Sequence, residues 1–180
     1  MKFSLYSMAV DTFVPMLRTL STLLDKAAAH ALDKKLDFAE LAQARLAADM
    51  YPLSTQVQIA CHQPLAFFAY VTGGEQPRFE DGKTDGSLAA LKAQIKTTIE
   101  RLQSAPASKF EGVEDRPIVA PLGTTGLILE LPTHQFLRDW TLPHFYFHVV
   151  TAYDILRHHG VALGKPDYMS HISHAIRKSE

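Results

Sequence analysis

The sequence has 180 residues, of which 47% are hydrophobic and 21% are charged. This apolar content suffices for one ordinary hydrophobic core and excludes a disordered or fibrous chain. The 18 basic and 19 acidic side chains give a formal net charge of −1, so no strong positive field would draw the protein to nucleic acid. We therefore expect a single folded domain over residues 1–180 that does not bind nucleic acid.

Cysteine content and hydropathy indicate the cellular compartment in which we expect the protein. The single cysteine, Cys61, cannot form an internal disulfide, which is typical of a reducing compartment such as the cytoplasm. The longest apolar run, Leu65 to Val71, has 7 residues. A helix that spans a bilayer needs roughly 20 apolar residues. The sequence therefore predicts a cytoplasmic protein with no membrane-spanning segment.

Apolar residues at spacings of three and four predict four long helices. We expect a kink at Pro15, inside the first of them, because proline removes a backbone hydrogen-bond donor. A shorter helix is predicted between Asp37 and Met50. The four long helices are predicted, in chain order, at Leu5–Leu32, Pro52–Thr72, Ser87–Leu102 and from Pro143 to Gly160, with Gly160 just past the helix end.

The pattern changes between Ser104 and Trp140, where proline and glycine interrupt any long helix. Two β-prone runs, Ile118–Leu122 and Leu127–Leu131, are joined by a short polar and glycine-containing segment and predict a β-hairpin. Thr133 is expected to cap a short helix that ends at Trp140. The sequence thus predicts an all-α fold with a small β-hairpin inserted before the last helix.

Histidines supply the candidate chemistry. His144 and His148 are four residues apart on a predicted helix, so their imidazoles project from one face and could chelate one cation. His62, in the second long helix, is the candidate for a third ligand. The spacing alone favours another interpretation, in which His144 is solvated near its helix start and His148 is a hydrogen-bonded interior histidine. His62, taken alone, is then an ordinary partly buried histidine. Motifs for phosphate loops, nucleophile elbows and paired-cysteine sites are absent from the sequence.

Three segments of the chain resemble a known family. They read SLYSMAVDTFVPMLRTLSTLLDKAAAHA from Ser4, ARLAADMYPLSTQVQIA from Ala44, and LPHFYFHVVTAYDILRHHGVALGKPDYM from Leu142. Together they resemble an uncharacterised bacterial family within the DinB/YfiT-like superfamily of metalloenzymes. The resemblance covers nearly the whole chain, and the segment from Leu142 is its most specific part.

The resemblance implies a four-helix bundle of the up-down-down-up type, often a homodimer. It further implies a metal held by one histidine of the second long helix and by an HxxxH pair of the last. On this sequence the three positions are His62, His144 and His148. Members of the uncharacterised family usually carry an acidic residue at the first position and asparagine at the second. This chain departs from them by having histidine at all three positions.

Two functions follow, and the residues leave open whether the protein is an enzyme. Three neutral imidazoles would hold Zn²⁺ or Ni²⁺ with open positions, and the resemblance then implies a hydrolase or a low-molecular-weight-thiol S-transferase acting on a small molecule. The alternative is a non-catalytic homodimeric bundle without metal that binds a small apolar ligand. A surplus of aromatic residues favours a surface between copies. These residues are Phe136, Trp140, Phe145, Tyr146 and Phe147.

Overall fold

Four long helices and a two-stranded hairpin make up most of the structure. The computed structural model describes residues 4–79, 86–123 and 125–179. Its long helices are α1 (Leu5–Lys34), α3 (Leu53–Thr72), α4 (Leu88–Ser104) and α6 (Leu142–His158). The shorter ones are α2 (Phe38–Ala42), α5 (Thr133–Gln135) and α7 (Lys165–Tyr168), and 3-10 turns lie at Ala107–Phe110 and Ser170–Ala175.

The ends of α1 follow from local chemistry. The Ser4 hydroxyl accepts a hydrogen bond from the Ser7 backbone N–H at 3.1 Å, which satisfies a free donor of the first turn. Pro15 lies inside the helix and does not end it. At the other end Lys35 adopts the left-handed conformation with φ 55°, and the Leu36 N–H donates to the Ala31 carbonyl at 2.8 Å. The predicted first helix is confirmed.

The left-handed Lys35 gives a testable expectation for stability. Lys35→Gly should raise the free energy of unfolding by about 0.5–1 kcal/mol, because glycine adopts this conformation without a Cβ clash. Urea unfolding followed by circular dichroism measures the change. The control is Lys34→Gly, inside the helix, which should lose about 0.5–1 kcal/mol. A loss of stability in both variants would contradict the interpretation.

The second predicted helix is shorter than expected. Asp37 caps α2 by accepting from the Ala39 N–H at 2.9 Å, but α2 ends at Ala42 rather than reaching Met50. The Leu53 N–H donates to the Ala44 carbonyl at 2.9 Å and closes a turn between α2 and α3. The chain changes direction in this loop, so the helix does not continue past Ala42 although the apolar spacing does.

The predicted hairpin is confirmed, with strands β1 (Pro117–Pro121) and β2 (Ile128–Pro132) paired antiparallel and Val119 opposite Glu130. One face of β1 is buried, as Ile118 and Ala120 show. The Arg116 side chain next to β1 donates to the Val71 carbonyl at 2.7 Å. A cation at the C-terminal end of α3 is favourable because the last carbonyls of a helix are unpaired and partly negative.

The chain is helical from Thr133 to His158, and here two predictions need correction. Thr133 does not act as a helix cap, because its hydroxyl donates to the Arg116 carbonyl at 2.7 Å. Phe136–Thr141 forms a π-helical segment that runs directly into α6, so Pro143 lies in the first turn of α6 and does not start the helical run. Proline has no N–H and its ring crowds the preceding turn, which explains the widened helix before it.

The four long helices enclose the core. α3 packs against α4 and α6, and α1 contacts all three. Phe13 of α1 and Phe145 of α6 are fully buried, with ring centroids 5.0 Å apart in an edge-to-face arrangement. Within the described residues, no helix has both the length and the apolar character needed to cross a membrane.

Candidate functional site

The two histidines of α6 lie side by side. His144 and His148 are one turn apart on the same helix face, with ring centroids 5.0 Å apart and ring planes inclined by 37°. His148 is buried among core residues and His144 is half-buried. The predicted i, i+4 pair is therefore present as a pair of adjacent imidazoles in contact with α3.

Gln56 of α3 determines which nitrogen of His148 is free. The Gln56 amide donates from Nε2 to the Tyr51 carbonyl at 3.0 Å, which leaves its Oε1 facing His148 Nδ1 at 2.6 Å. Since an amide oxygen only accepts, Nδ1 of His148 carries the proton and donates it. The Nε2 atom of neutral His148 then holds the lone pair. A metal-binding histidine is usually held in this way by a hydrogen bond at its other nitrogen.

His144 carries an unsatisfied polar atom. Its Nδ1 is buried and has no hydrogen-bond partner among the residues that the structure describes. The Trp140 ring meets the His144 ring edge-on at a centroid distance of 5.3 Å and covers one side of it. A buried nitrogen without a partner costs about 1–3 kcal/mol. In a natural protein such an atom calls for an explanation, and a bound ion or water is one of the usual ones.

His62 has a different partner. Its Nε2 lies 3.0 Å from the Pro77 carbonyl oxygen, to which it donates, so the lone pair of neutral His62 is on Nδ1. The Phe79 ring packs edge-on against the imidazole with centroids 5.7 Å apart. His62 lines a cavity between α3 and α4, and Pro77 and Phe79 line it as well. The return of the chain after Gly74 therefore decides what His62 contacts.

Burial favours the neutral form of all three imidazoles. Burial lowers the pKa of His62, and the Pro77 hydrogen bond opposes this in part. Burial lowers the pKa of His144, and the positive charge that His62 would carry lowers it further. Burial lowers the pKa of His148 to about 4, with a smaller contribution from His144. Neutral imidazole is the form that binds a metal.

The structure brings His144 and His148 together and gives His62 a partner of its own. In the described part of the chain, no three side chains among His, Cys, Asp and Glu are grouped closely enough to hold a metal ion. The three-histidine site predicted from the sequence stays a prediction. Cys61, next to His62, is buried and hydrogen-bonded to Thr98, and burial raises the pKa of its thiol to about 12. It is an unreactive core residue.

Gln56 is the functional side chain that sequence reasoning missed. It is 1% exposed and its partner lies 92 residues away in the sequence. The signal that could have indicated it is its position on the most apolar of the predicted helices, where a buried glutamine needs partners for both ends of its amide.

Loss of the Gln56 amide should destabilise the protein. Gln56→Leu leaves the buried Nδ1–H of His148 without an acceptor, so the free energy of unfolding should fall by about 1–3 kcal/mol. Denaturant unfolding at pH 8 measures it. Gln63→Leu is the matched control, since Gln63 lies on the same helix, is partly exposed, and its side chain forms no hydrogen bond within the described residues. Equal effects of the two substitutions would contradict a role for the Gln56–His148 bond.

Comparisons with known proteins show which family this sequence is similar to. The sequence model of a family described as a domain of unknown function, DUF1993, matches residues 5–169. A crystal structure of a DinB family member protein from Shewanella denitrificans is similar, with 36% sequence identity and a TM-score of 0.81. The similarity covers 92% of this chain and 91% of that chain. No curated protein matches.

Proposed function

The chain belongs to the DUF1993 family, an uncharacterised DinB-like family, and from this premise we propose that it is a divalent-metal-dependent enzyme. In this proposal His144 and His148, which are already adjacent, supply two of the three metal ligands, and His62 supplies the third. The observation that carries the proposal is the Gln56–His148 hydrogen bond, which holds Nδ1 of His148 as the donor and leaves Nε2 as the ligand atom. The metal we favour is Zn²⁺ or Ni²⁺, which imidazole ligands suit.

The residues fit such an ion in three respects. His148 has a fixed orientation, His144 has a buried nitrogen without a partner, and the lone pair of His62 is on the nitrogen that Pro77 does not use. Burial lowers the pKa of all three, so no proton has to be displaced near neutral pH. A divalent ion would lower the pKa of a thiol or water molecule that it contacts. This supports a hydrolase or a small-thiol S-transferase.

The proposal includes the helix arrangement and the oligomeric state that the family resemblance implies. We propose an up-down-down-up four-helix bundle that forms a homodimer in the cytoplasm and acts on a small molecule. Phe147 and Val150 support the dimer, since they are 59% and 39% exposed on one face of α6. The aromatic surplus is smaller than the sequence suggests, because Phe136 and Phe145 are buried in the protein's own core.

A second candidate function is a helical protein without metal. The observation that favours it is the His62–Pro77 hydrogen bond, which satisfies His62 without any ion. In this case the histidines are neutral interior side chains and the protein binds a small apolar ligand or only its own copy.

Metal analysis of protein purified without chelators distinguishes the two candidates. We expect close to one equivalent of divalent metal in the wild type and its loss in His148→Ala. His174→Ala, at an exposed histidine outside the site, is the matched control and should keep the metal. A wild type that stays metal-free after incubation with excess Zn²⁺ and Ni²⁺ and desalting would exclude the metal-dependent enzyme and leave the second candidate.

A further inference from the structure

A second region with ligand-binding character lies between α3 and α4. It is a cavity of about 750 Å³, lined by residues of the two helices and by Pro77 and Phe79. This volume lies within the range of small-molecule sites. His62 also lines this cavity. The steps below use none of the three histidines, so the inference does not rest on the proposed metal site.

The charge of the cavity wall is positive. Arg78 and Arg101 both line it, and no aspartate or glutamate does so among the described residues. Within the same part of the chain, neither guanidinium forms a hydrogen bond or an ion pair. Arginine presents a planar set of N–H donors that matches a carboxylate or a phosphate. Two unpaired guanidinium groups at one cavity favour an anionic ligand.

Gln58 indicates that the ligand also carries a hydrogen-bond donor. It lines the cavity, is 8% exposed, and its Oε1 is buried with no hydrogen-bond partner in the described part of the chain. The neighbouring Thr98 hydroxyl does not supply the missing donor, because it donates to the Gln94 carbonyl at 2.9 Å. Leaving the Gln58 oxygen unpaired costs about 1–3 kcal/mol. A ligand hydroxyl or amino group that reaches this atom would remove that cost.

We propose that this cavity binds a small hydroxylated organic anion. Arg78 and Arg101 hold its carboxylate or phosphate, its hydroxyl donates to Gln58 Oε1, and its carbon atoms pack against Leu65 and Ala93. A purely apolar ligand would leave both guanidinium groups and the Gln58 oxygen unpaired. Such a ligand is disfavoured, because polar groups that are covered without a partner cost free energy.

Titration calorimetry on the metal-free, full-length protein at fixed ionic strength tests the proposal. The probes are glycerate and glycerol 3-phosphate, which share the hydroxyl and differ in the anionic group, with acetate, inorganic phosphate and glycerol for comparison. We expect one of the two hydroxylated anions to bind at one per chain, more tightly than the matching simple anion or glycerol. Which of them binds identifies the ligand as a carboxylate or a phosphate.

Three variants assign the binding to the cavity. Arg101→Gln should weaken it by at least about tenfold, as expected for loss of a charge-assisted hydrogen bond. Arg157→Gln, which removes an exposed guanidinium of α6 outside the cavity, should have no effect. Gln58→Leu should weaken binding of the hydroxylated probe and leave binding of acetate and inorganic phosphate unchanged. Arg78→Gln replaces Arg101→Gln if the latter does not keep the wild-type thermal midpoint.

Two results would overturn the proposal. One is the absence of binding by both glycerate and glycerol 3-phosphate at millimolar concentration. The other is equal weakening by Arg101→Gln and Arg157→Gln, which would assign the binding to overall charge. Since metal-free protein is used, neither result depends on the outcome of the metal analysis.

Discussion

Phe145→Ala is expected to lower the free energy of unfolding by about 3–5 kcal/mol, the usual cost of removing a buried phenylalanine ring. Phe145 is 0% exposed and lies in the first turn of α6, in edge-to-face contact with Phe13 of α1. The substitution removes apolar surface from the core and leaves a cavity that rigid helices fill only in part. It also removes the ring contact between Phe13 and Phe145, which helps to pack α1 against α6.

Phe147→Ala is the control for this effect. Phe147 is the same residue type on the same helix, two positions away, but its side chain is 59% exposed. Its loss should change the free energy of unfolding by no more than about 0.5 kcal/mol. Urea unfolding of both variants by circular dichroism, at a protein concentration low enough to suppress self-association, gives the comparison. Similar losses in the two variants would contradict the assignment of Phe145 to the centre of the core.

Local patterns predicted most of the fold. The first helix was predicted at Leu5–Leu32 and extends over Leu5–Lys34, because both its apolar spacing and its terminal groups lie within the helix itself. The hairpin was predicted for the same reason, since its strands and its turn are contiguous in the sequence. These elements need no information about distant residues.

The features that were missed depend on neighbours in space. The π-helical segment Phe136–Thr141 exists because a helix already precedes Pro143, whereas the sequence suggested that Pro143 begins one. The partner of Gln56 lies in another helix, and the carbonyl bonded to His62 is in a returning loop. Spacing predicts that His144 and His148 share a face. It does not predict which nitrogen of His148 or of His62 is free, because Gln56 of α3 sets this for His148 and the Pro77 carbonyl sets it for His62.

Acidification is expected to destabilise the metal-free protein through His148. Its pKa is 6.5 when unfolded and about 4 when folded, so the unfolded state binds the proton first as the pH falls. The stability that depends on neutral His148 is fully present above pH 6.5 and declines as the pH falls toward 4. This difference in pKa corresponds to at most about 3.5 kcal/mol of stability, since one pKa unit equals about 1.4 kcal/mol.

Unfolding in urea between pH 8 and pH 4, with a chelator present, measures this dependence. Carboxylates also titrate in the lower part of this range, so the informative quantity is the difference between variants. His148→Gln has no proton to bind and should show a shallower loss of stability between pH 6.5 and 4, whereas His174→Gln, at an exposed position, should keep the wild-type slope. The same slope in wild type and His148→Gln would show that burial of His148 is not what makes folding sensitive to acid.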